Sequence, residues 1–497
     1  MGVMRFLIHP SDELGSWPEA YRAYVSGFDG RVFPTRIEID GSVMTCRRQC
    51  SDSGKLQVAW PVPGFGRPVI ATASLCERDA PYLLAVELAR GKIGQVRNEA
   101  ASWQESGMLL SDEFQELSRR ALAVFARAVS MQDQLAEASE LAIEAVTLAC
   151  EASEELMRSY VQQRLVARRQ RSPRLPASIG CCLGNATPAN EWTESFCSAF
   201  DAAVVPIEWK SIEPTEGEYN WEQNDAQVEW CRQNKLMMCG GPLLDLSAGG
   251  LPQWLWQWEN DFLNLQSFVS DFIETAITRY LGKVRLWEVV ARANTGGAMA
   301  LSEEERLTLT ARALDVARQV DEDAQLLVRI DQPWGEYQAR GQHRLTPLQF
   351  VDALIRSGVG LSGVNLEISV GYRPCGTSSR DRLDFSHMID QWSALLRVPL
   401  FVTLAFPSDE STDRFAGLDL EVEANGWKSP WSPQAQAEWI DLHLPLLLTK
   451  QSVVSVFWSH FTDAAPHCFP HAGLLDAHGA HKPALQRIIA NGHASWQ

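Results

Sequence analysis

The C-terminal two thirds of the chain alternate short apolar runs with amphipathic stretches. Polar–apolar stretches of helical period lie between the runs, such as SEEERLTLTARALDVARQV and SPQAQAEWIDLHLPLLLTK. Regular alternation of buried strands and amphipathic helices is typical of a closed parallel barrel. We therefore expect a (β/α)8 TIM barrel over residues 172–497. The predicted strands are SIGCCLG, AAVVPIEW, KLMMCGGPLL, VRLWEVVA, AQLLVRID, LSGVNLEIS, PLFVTLAF and SVVSVFWS.

Residues 1–80 have a different pattern, with short β-rich runs separated by Gly and Pro. Asp40-Gly41 lies between RIEI and SVMT and is a strong signal for a hairpin turn. We expect a small β-sandwich-like domain here. The remaining predicted strands of this domain lie in MRFLIHP, KLQVAWPV and PVIATASL.

Residues 81–171 are predicted to be helical. From Ser111 to Arg171 the chain has no Pro or Gly and is rich in Ala, Glu, Leu and Arg. This composition predicts a helical hairpin or one long helix packed on a neighbour. The segment either braces the two flanking domains or serves as a dimerisation arm, which would make a homo-oligomer through the 111–170 helix.

Composition and charge exclude several kinds of partner. The 497 residues are 45% hydrophobic and 21% charged, with a formal net charge of -18 and no long basic run. This balance argues against nucleic-acid or membrane partners. Eleven cysteines without a CxxC pair indicate reduced thiols. The apolar run at the N-terminus is too short for a signal peptide, so we expect a cytoplasmic protein.

Five motifs in the barrel region resemble those of family 10 glycoside hydrolases, the endo-β-1,4-xylanases. The resemblance covers about residues 178–490, and the motifs occur in the family's order, which implies the family's barrel fold. The motifs are IEWKSIEPTEGEYNW at 207–221, RYLGKVRLWEVV at 279–290, LSGVNLEIS at 361–369, VFWSHFTD at 456–463 and LLDAHGAHKPAL at 474–485.

Both catalytic positions implied by this resemblance are substituted. Retaining glycosidases use two carboxyl groups about 5–5.5 Å apart. Here the acid/base position is Arg292 and the nucleophile position is Leu404. Arginine does not release its proton near neutral pH, so it cannot act as a general acid. The family's own two-Glu hydrolysis is therefore not expected.

The strand ends still offer polar and aromatic side chains around the predicted barrel mouth. Carboxylates accept hydrogen bonds from sugar hydroxyls, and Trp faces stack on sugar rings, so we expect a carbohydrate ligand. Glu367 and Glu208 are the candidate catalytic residues. The candidate substrate-binding residues are Trp209, Asp245, Arg292, Asp331, Trp334, Glu336, Trp458 and His460.

Several hypotheses remain open for this site. In the first hypothesis, Glu208 and Glu367 form a relocated pair that hydrolyses a β-linked oligosaccharide or glycoconjugate. In the second, which we favour, they pair with Arg292 in a buried ionic cluster. The chain would then be a catalytically inactive carbohydrate-binding or scaffold protein. A metal held by Asp245, Asp331, Glu367 and His460 is a weaker alternative, because no His-rich spacing supports it. We expect no metal and no cofactor.

Overall fold

The computed structural model describes residues 2–10, 17–171, 177–185, 187–341, 343–417, 420–424 and 426–496, the side chains of 171 and 493–496 excepted. No helix within these ranges is long and apolar enough to cross a membrane.

The N-terminal region contains two four-stranded sheets. The hairpin predicted at Asp40-Gly41 is present, because β4 and β5 pair antiparallel with Asp40 opposite Val43. Alternate residues of Gly2–Leu7, Val43–Arg48 and Lys55–Ala59 are buried, as expected of sheets with one face on a core. The order is β4-β5-β1-β8 in the first sheet and β3-β2-β6-β7 in the second. The strands are β1 Gly2–Leu7, β2 Tyr24–Ser26, β3 Val32–Phe33, β4 Thr35–Asp40, β5 Val43–Arg48, β6 Lys55–Ala59, β7 Val69–Ala71 and β8 Tyr82–Leu83.

Three helices follow: α1 Leu84–Glu105, α2 Asp112–Ser130 and α3 Leu135–Arg171. The Ser111 hydroxyl caps α2 by accepting a hydrogen bond from the Phe114 N–H at 3.2 Å. The long pattern without Gly or Pro is interrupted by a turn between α2 and α3, which forms the hairpin alternative of our prediction. Strand β8 belongs to the first sheet, so the β region extends slightly past residue 80.

The C-terminal region is a closed barrel of eight parallel strands, as predicted. Each strand pairs with the next, and β19 pairs with β9 to close the ring. The barrel strands are β9 Ser178–Cys182, β10 Ala202–Val205, β11 Met237–Gly240, β13 Leu286–Ala291, β14 Gln325–Asp331, β15 Gly363–Ser369, β17 Leu400–Ala405 and β19 Val453–Trp458. Shorter strands outside this ring are β12 Leu244–Asp245, β16 Tyr372–Arg373 and β18 Glu421–Val422.

Helices surround the barrel. Helix α8 begins with a capping box in which Ser302 and Glu305 bond each other's backbone N–H groups, a strong helix start in SEEERL. Helix α11 contains Pro445 in its interior. The helices are α4 Asn190–Ala199, α5 Trp209–Ile212, α6 Glu222–Gln233, α7 Phe262–Arg279, α8 Glu303–Val320, α9 Pro347–Arg356, α10 Arg382–Leu396, α11 Pro433–Thr449 and α12 Pro483–Trp496.

Helix α3 packs on both halves of the molecule. Its first half, including Val146, lies in the apolar core of the N-terminal sheets, and its second half, including Leu156 and Tyr160, lies in the core of the barrel. The Lys450 Nζ donates to the Tyr160 hydroxyl at 3.2 Å. These contacts match the predicted brace. Homo-oligomer formation through the 111–170 segment stays a prediction.

Buried charge also joins the helical segment to the barrel. Lys92 of α1 and Ser153 of α3 both bond the Asp381 carboxylate, which caps α10. The Arg382 Nε donates to Glu154 Oε2 at 2.8 Å. Because Lys92 and Arg382 are almost fully buried, losing either carboxylate would leave an unpaired charge at this interface.

Candidate functional site

The interior of the barrel is apolar near one end and charged towards its mouth. Leu286, Leu327 and Phe401, early in their strands, pack together in an apolar cluster. Two residues further along, the inward positions are Glu288, Arg329 and Thr403. Barrel interiors are usually filled by branched apolar side chains. The charged layer therefore has to be stabilised by pairing inside the barrel.

Arg292 is the centre of this charged cluster. Its Nε donates to Glu367 Oε1 at 3.0 Å and its Nη2 to Glu367 Oε2 at 2.9 Å, a two-bond contact. Its Nη1 donates to Asp245 Oδ2 at 3.0 Å. The predicted contact of Arg292 with Glu367 is thus present. Burial would raise the pKa of Asp245, but the Arg292 charge and the Ser247 backbone lower it.

A second guanidinium continues the cluster deeper into the barrel. Arg329 Nη1 lies 3.2 Å from Glu367 Oε2, and Arg329 Nη2 lies 2.7 Å from Glu288 Oε1. The Asn365 amide donates to Glu288 Oε2 at 2.6 Å and to the Thr403 hydroxyl at 2.9 Å. Two arginines therefore face three carboxylates. We did not select Glu288 or Arg329 from the sequence, although Arg329 has the same strand parity as Asp331.

The Arg292 backbone is strained. Its φ is +56°, in the left-handed region that non-glycine residues rarely adopt. Two backbone hydrogen bonds hold it, from the Arg292 N–H to the Arg329 carbonyl at 3.0 Å and from the Gly296 N–H to the Arg292 carbonyl at 2.8 Å. Arg292 is the first residue after β13, and its guanidinium lies at the mouth of the barrel.

Asp331 is the carboxyl group of the mouth that no cation contacts among the described residues. It is 2% exposed, and its Oδ1 accepts a hydrogen bond from the Thr295 hydroxyl at 2.8 Å. Burial, and then the charge of Glu367, raise the pKa of Asp331 to about 7. Asp331 can therefore hold or release a proton near neutral pH, which suits it to donate a hydrogen bond or a proton.

The position matched to the family nucleophile requires a correction. Leu404 does not face the barrel interior: it is 2% exposed and belongs to the core between strands and helices. Neighbouring β17 residues Thr403 and Ala405 have the opposite parity, and Thr403 bonds Asn365 inside the barrel. Strand β17 contains no Asp or Glu. Shifting the family alignment along this strand therefore places no carboxylate inside the barrel.

Glu208 is not part of the charged cluster. Its side chain is 24% exposed, and its charged neighbour is Lys210 at 3.8 Å. Glu367 instead has both oxygens bound by guanidinium groups. Burial, and then the charge of Glu208, raise the pKa of the Cys468 thiol to about 11.

Two tryptophans predicted to bind substrate lie in the core. Trp209 is 1% exposed, stacks on Phe272 with ring centroids 4.9 Å apart, and donates to Glu213 Oε2 at 2.7 Å. Trp458 is 3% exposed and donates to the Ala472 carbonyl at 2.7 Å. Both rings are buried, so neither presents an open face to a sugar in this structure.

Trp334 and Glu336 lie beside the N-terminal sheets. The Arg380 Nη2 donates to Glu336 Oε1 at 2.7 Å and to the Tyr24 hydroxyl at 2.6 Å. The Arg380 guanidinium also lies over the Trp334 ring, 4.8 Å from its centroid. Trp334 and Glu336, both predicted to bind substrate, therefore lie at an interdomain surface.

His460 takes part in a separate network. Its Nε2 bonds Asp463 Oδ1 at 3.0 Å, and the Lys482 Nζ donates to Asp463 Oδ2 at 2.5 Å. Burial, despite this bond, lowers the pKa of His460 to about 4. The ligand atoms of His460, Asp463 and His467 lie within 4.8 Å of one another. Lys482 already places a cation against the shared carboxylate, which opposes a second cation there.

The barrel sequence is similar to known glycosidases. Residues 178–368 match the family model described as Glycosyl hydrolase family 10, so the match ends before β17. Endo-1,4-beta-xylanase B of Thermotoga neapolitana is 25% identical over 171 residues, which are 34% of this chain and 48% of that protein. Endo-1,4-beta-xylanase 3 of Hypocrea jecorina is 29% identical over 159 residues, 31% of this chain and 40% of that protein.

The chain thus spans less than half the length of these curated relatives. Among solved structures, native xylanase 10B from Thermotoga maritima aligns with a TM-score of 0.50 at 17% identity, covering 66% of this chain and 98% of that chain. This likeness shows the shared fold. The protein is therefore a (β/α)8 barrel preceded by small β sheets and a helical segment, and its residues 178–368 are similar to family 10 glycosyl hydrolases.

Proposed function

We propose that this protein is a divergent family 10 barrel that binds a β-linked oligosaccharide without cleaving it by the family's two-carboxylate mechanism. The Arg292–Glu367 pair carries this proposal. Arg292 occupies the position that the resemblance assigns to the acid/base, and its guanidinium engages both oxygens of Glu367. A carboxylate held in this way neither donates a proton nor has a free oxygen for attack.

The remaining mouth residues suit binding. Asp245, partly exposed at 17%, and Glu208, at 24%, offer carboxylate oxygens that accept hydrogen bonds from hydroxyl groups. The relatives named as endo-1,4-beta-xylanases suggest a β-1,4-linked xylose chain as the first ligand to test.

Hydrolysis through other residues is the second candidate function. It is favoured by Asp331, whose pKa of about 7 is suited to a general acid at neutral pH. Asp331→Asn keeps the shape of this side chain and removes its transferable proton. Turnover that Asp331→Asn abolishes would support this second candidate over the first.

The proposal is tested by titrating xylotetraose into the protein and into Glu208→Ala in a calorimeter. We expect saturable binding by the wild type and at least tenfold weaker binding at the mouth by the variant. The control is Glu216→Ala, an exposed carboxylate in the same β–α connection. Equal binding by all three proteins would place the sugar elsewhere and contradict a mouth site.

A further inference from the structure

A cavity of about 490 Å³ lies between the N-terminal sheets, helix α1 and the barrel. Its size is within the range of about 300–1,000 Å³ that is usual for small-molecule sites, and such sites often form between domains. It shares no lining residue with the Arg292 cluster. We call it the interdomain cleft. Its lining includes Phe28, Lys55, Gly94, Asn98, Trp334 and Gln391.

Helix α1 contains two glycines on the wall of this cleft. Gly91 is required by packing, because an added Cβ would lie 2.0 Å from the Ala71 carbonyl oxygen. Gly94 has no such reason, since an added Cβ would meet nothing within 4 Å. A glycine inside a helix costs about 1 kcal/mol relative to alanine. No packing contact therefore requires a glycine at position 94, and the cleft has room there for a larger side chain.

The charged groups of the cleft are largely paired with one another. Arg380 Nη1 donates to Asp384 Oδ2 at 2.7 Å, and His387 Nδ1 lies 2.8 Å from Glu99 Oε1. Lys55 and Asp29, which have opposite charges, are the lining charges with no ion pair among the described residues. A wall of mutually neutralised charges does not favour a highly charged ligand.

Neutral amides supply most of the free hydrogen-bonding groups. In the described part of the chain, the side chains of Asn98 and Gln391 bond no protein group, and they face the cleft from α1 and α10. Gln95 accepts a hydrogen bond from Lys92 at 2.9 Å, which leaves its amide N–H groups free. Amides both donate and accept hydrogen bonds, as hydroxyl groups do.

Aromatic rings lie beside these amides. Phe28 is 90% exposed at the rim, and Trp334 is partly exposed in the wall. Aromatic rings with a few neutral polar groups form the kind of surface that stacks on sugar rings and bonds their hydroxyls. We infer that the interdomain cleft is a second binding site, separate from the barrel mouth, for a neutral oligosaccharide.

The cleft is tested by filling it at Gly94. Gly94→Phe projects a ring into the space where Gly94 meets nothing, whereas Gly94→Ala also replaces the glycine inside the helix but leaves the space open. We titrate xylotetraose and cellotetraose into the full chain by calorimetry. At least one of them should bind wild type and Gly94→Ala alike and bind Gly94→Phe at least tenfold more weakly at one site.

The melting curve of Gly94→Phe shows whether this variant folds. If it does not fold, Gln391→Ala, which removes an amide from the opposite wall of the cleft, takes its place. It should weaken cleft binding about threefold or more. The cleft site is refuted if a folded Gly94→Phe binds the sugar as tightly as the wild type does. It is also refuted if Gly94→Phe is unfolded and Gln391→Ala binds the sugar undiminished. Absence of any cleft binding by the wild type with both sugars overturns it as well.

Failure of this site is distinguishable from failure of the mouth site. Two binding events per wild-type chain are expected, one lost in Gly94→Phe and the other in Glu208→Ala. A single event lost only in Glu208→Ala refutes the cleft and keeps the mouth. A single event lost only in Gly94→Phe refutes the mouth and keeps the cleft.

Discussion

Arg292 and Glu367 are joined by two parallel hydrogen bonds of 3.0 and 2.9 Å inside the barrel. Both side chains are almost fully removed from water, with 8% and 2% exposure. A buried pair of this kind contributes little net stability compared with apolar residues, but removing one partner is costly. The following predictions use this asymmetry.

Arg292→Glu should destabilise the protein by about 3 kcal/mol or more, because it places a fourth carboxyl group beside Glu367, Asp245 and Asp331 with one cation fewer. The melting temperature measures this. Arg344→Glu is the matched control, since Arg344 is 84% exposed and loses only a surface pair. Equal melting temperatures of the two variants would refute a structural role for the cluster.

Replacing both partners should cost less than the two single changes suggest. Arg292→Met leaves Glu367 with Arg329 alone, whereas Arg292→Met with Glu367→Leu removes both charges together. A double-mutant cycle from denaturant unfolding should give a favourable coupling of about 1–3 kcal/mol for the pair. Additive effects within error would mean that the bonds contribute nothing specific.

Stability should depend on pH through Asp331. Its pKa is about 7 in the folded protein and about 4 in an unfolded chain. Because the folded value is the higher one, its contribution to stability is fully present below about pH 4 and is lost as the pH rises through about 7. Melting temperatures of wild type and Asp331→Asn between pH 4 and pH 8 should therefore differ in slope. Parallel curves would argue against a raised pKa.

Lys482→Met should destabilise the segment after β19. Asp463 is 3% exposed at its side chain and bonds Lys482 and His460. Loss of the Lys482 charge leaves this carboxylate with a largely neutral histidine, which should cost about 2–4 kcal/mol. Lys283→Met serves as an exposed control. Unfolding in denaturant measures both, and an effect no larger than that of the control would contradict the network.

The sequence predicted the barrel because strand and helix periods are local patterns. The predicted run LSGVNLEIS contains β15, and SEEERL contains the capping box at Ser302. A helical hairpin was one of two predicted alternatives, but the position of the turn between α2 and α3 was not predicted, since no Gly or Pro marks it. Strands of two or three residues, such as β3, are too short to show alternation.

The site was predicted in part. Arg292, Glu367 and Asp245 do meet, because parallel strands of a barrel end at one face. Trp209 and Trp458 follow strands too, but their side chains turn into the helix layer, which strand position alone does not determine. Parity along β14 could have revealed Arg329, since it lies two residues before Asp331. The contact of Arg380 with the Tyr24 hydroxyl depends on domain packing, which no local pattern encodes.

Our main conclusion is that this barrel binds β-1,4-linked xylose chains and that Glu367, held by Arg292, does not cut them. The most direct measurement is release of new reducing ends from xylotetraose and soluble xylan by wild type and by Glu367→Gln. The account predicts no release above the protein-free blank by either protein, together with calorimetric binding by the wild type. Release by wild type that Glu367→Gln abolishes would contradict it, because Glu367 would then be catalytic despite its bonds to Arg292.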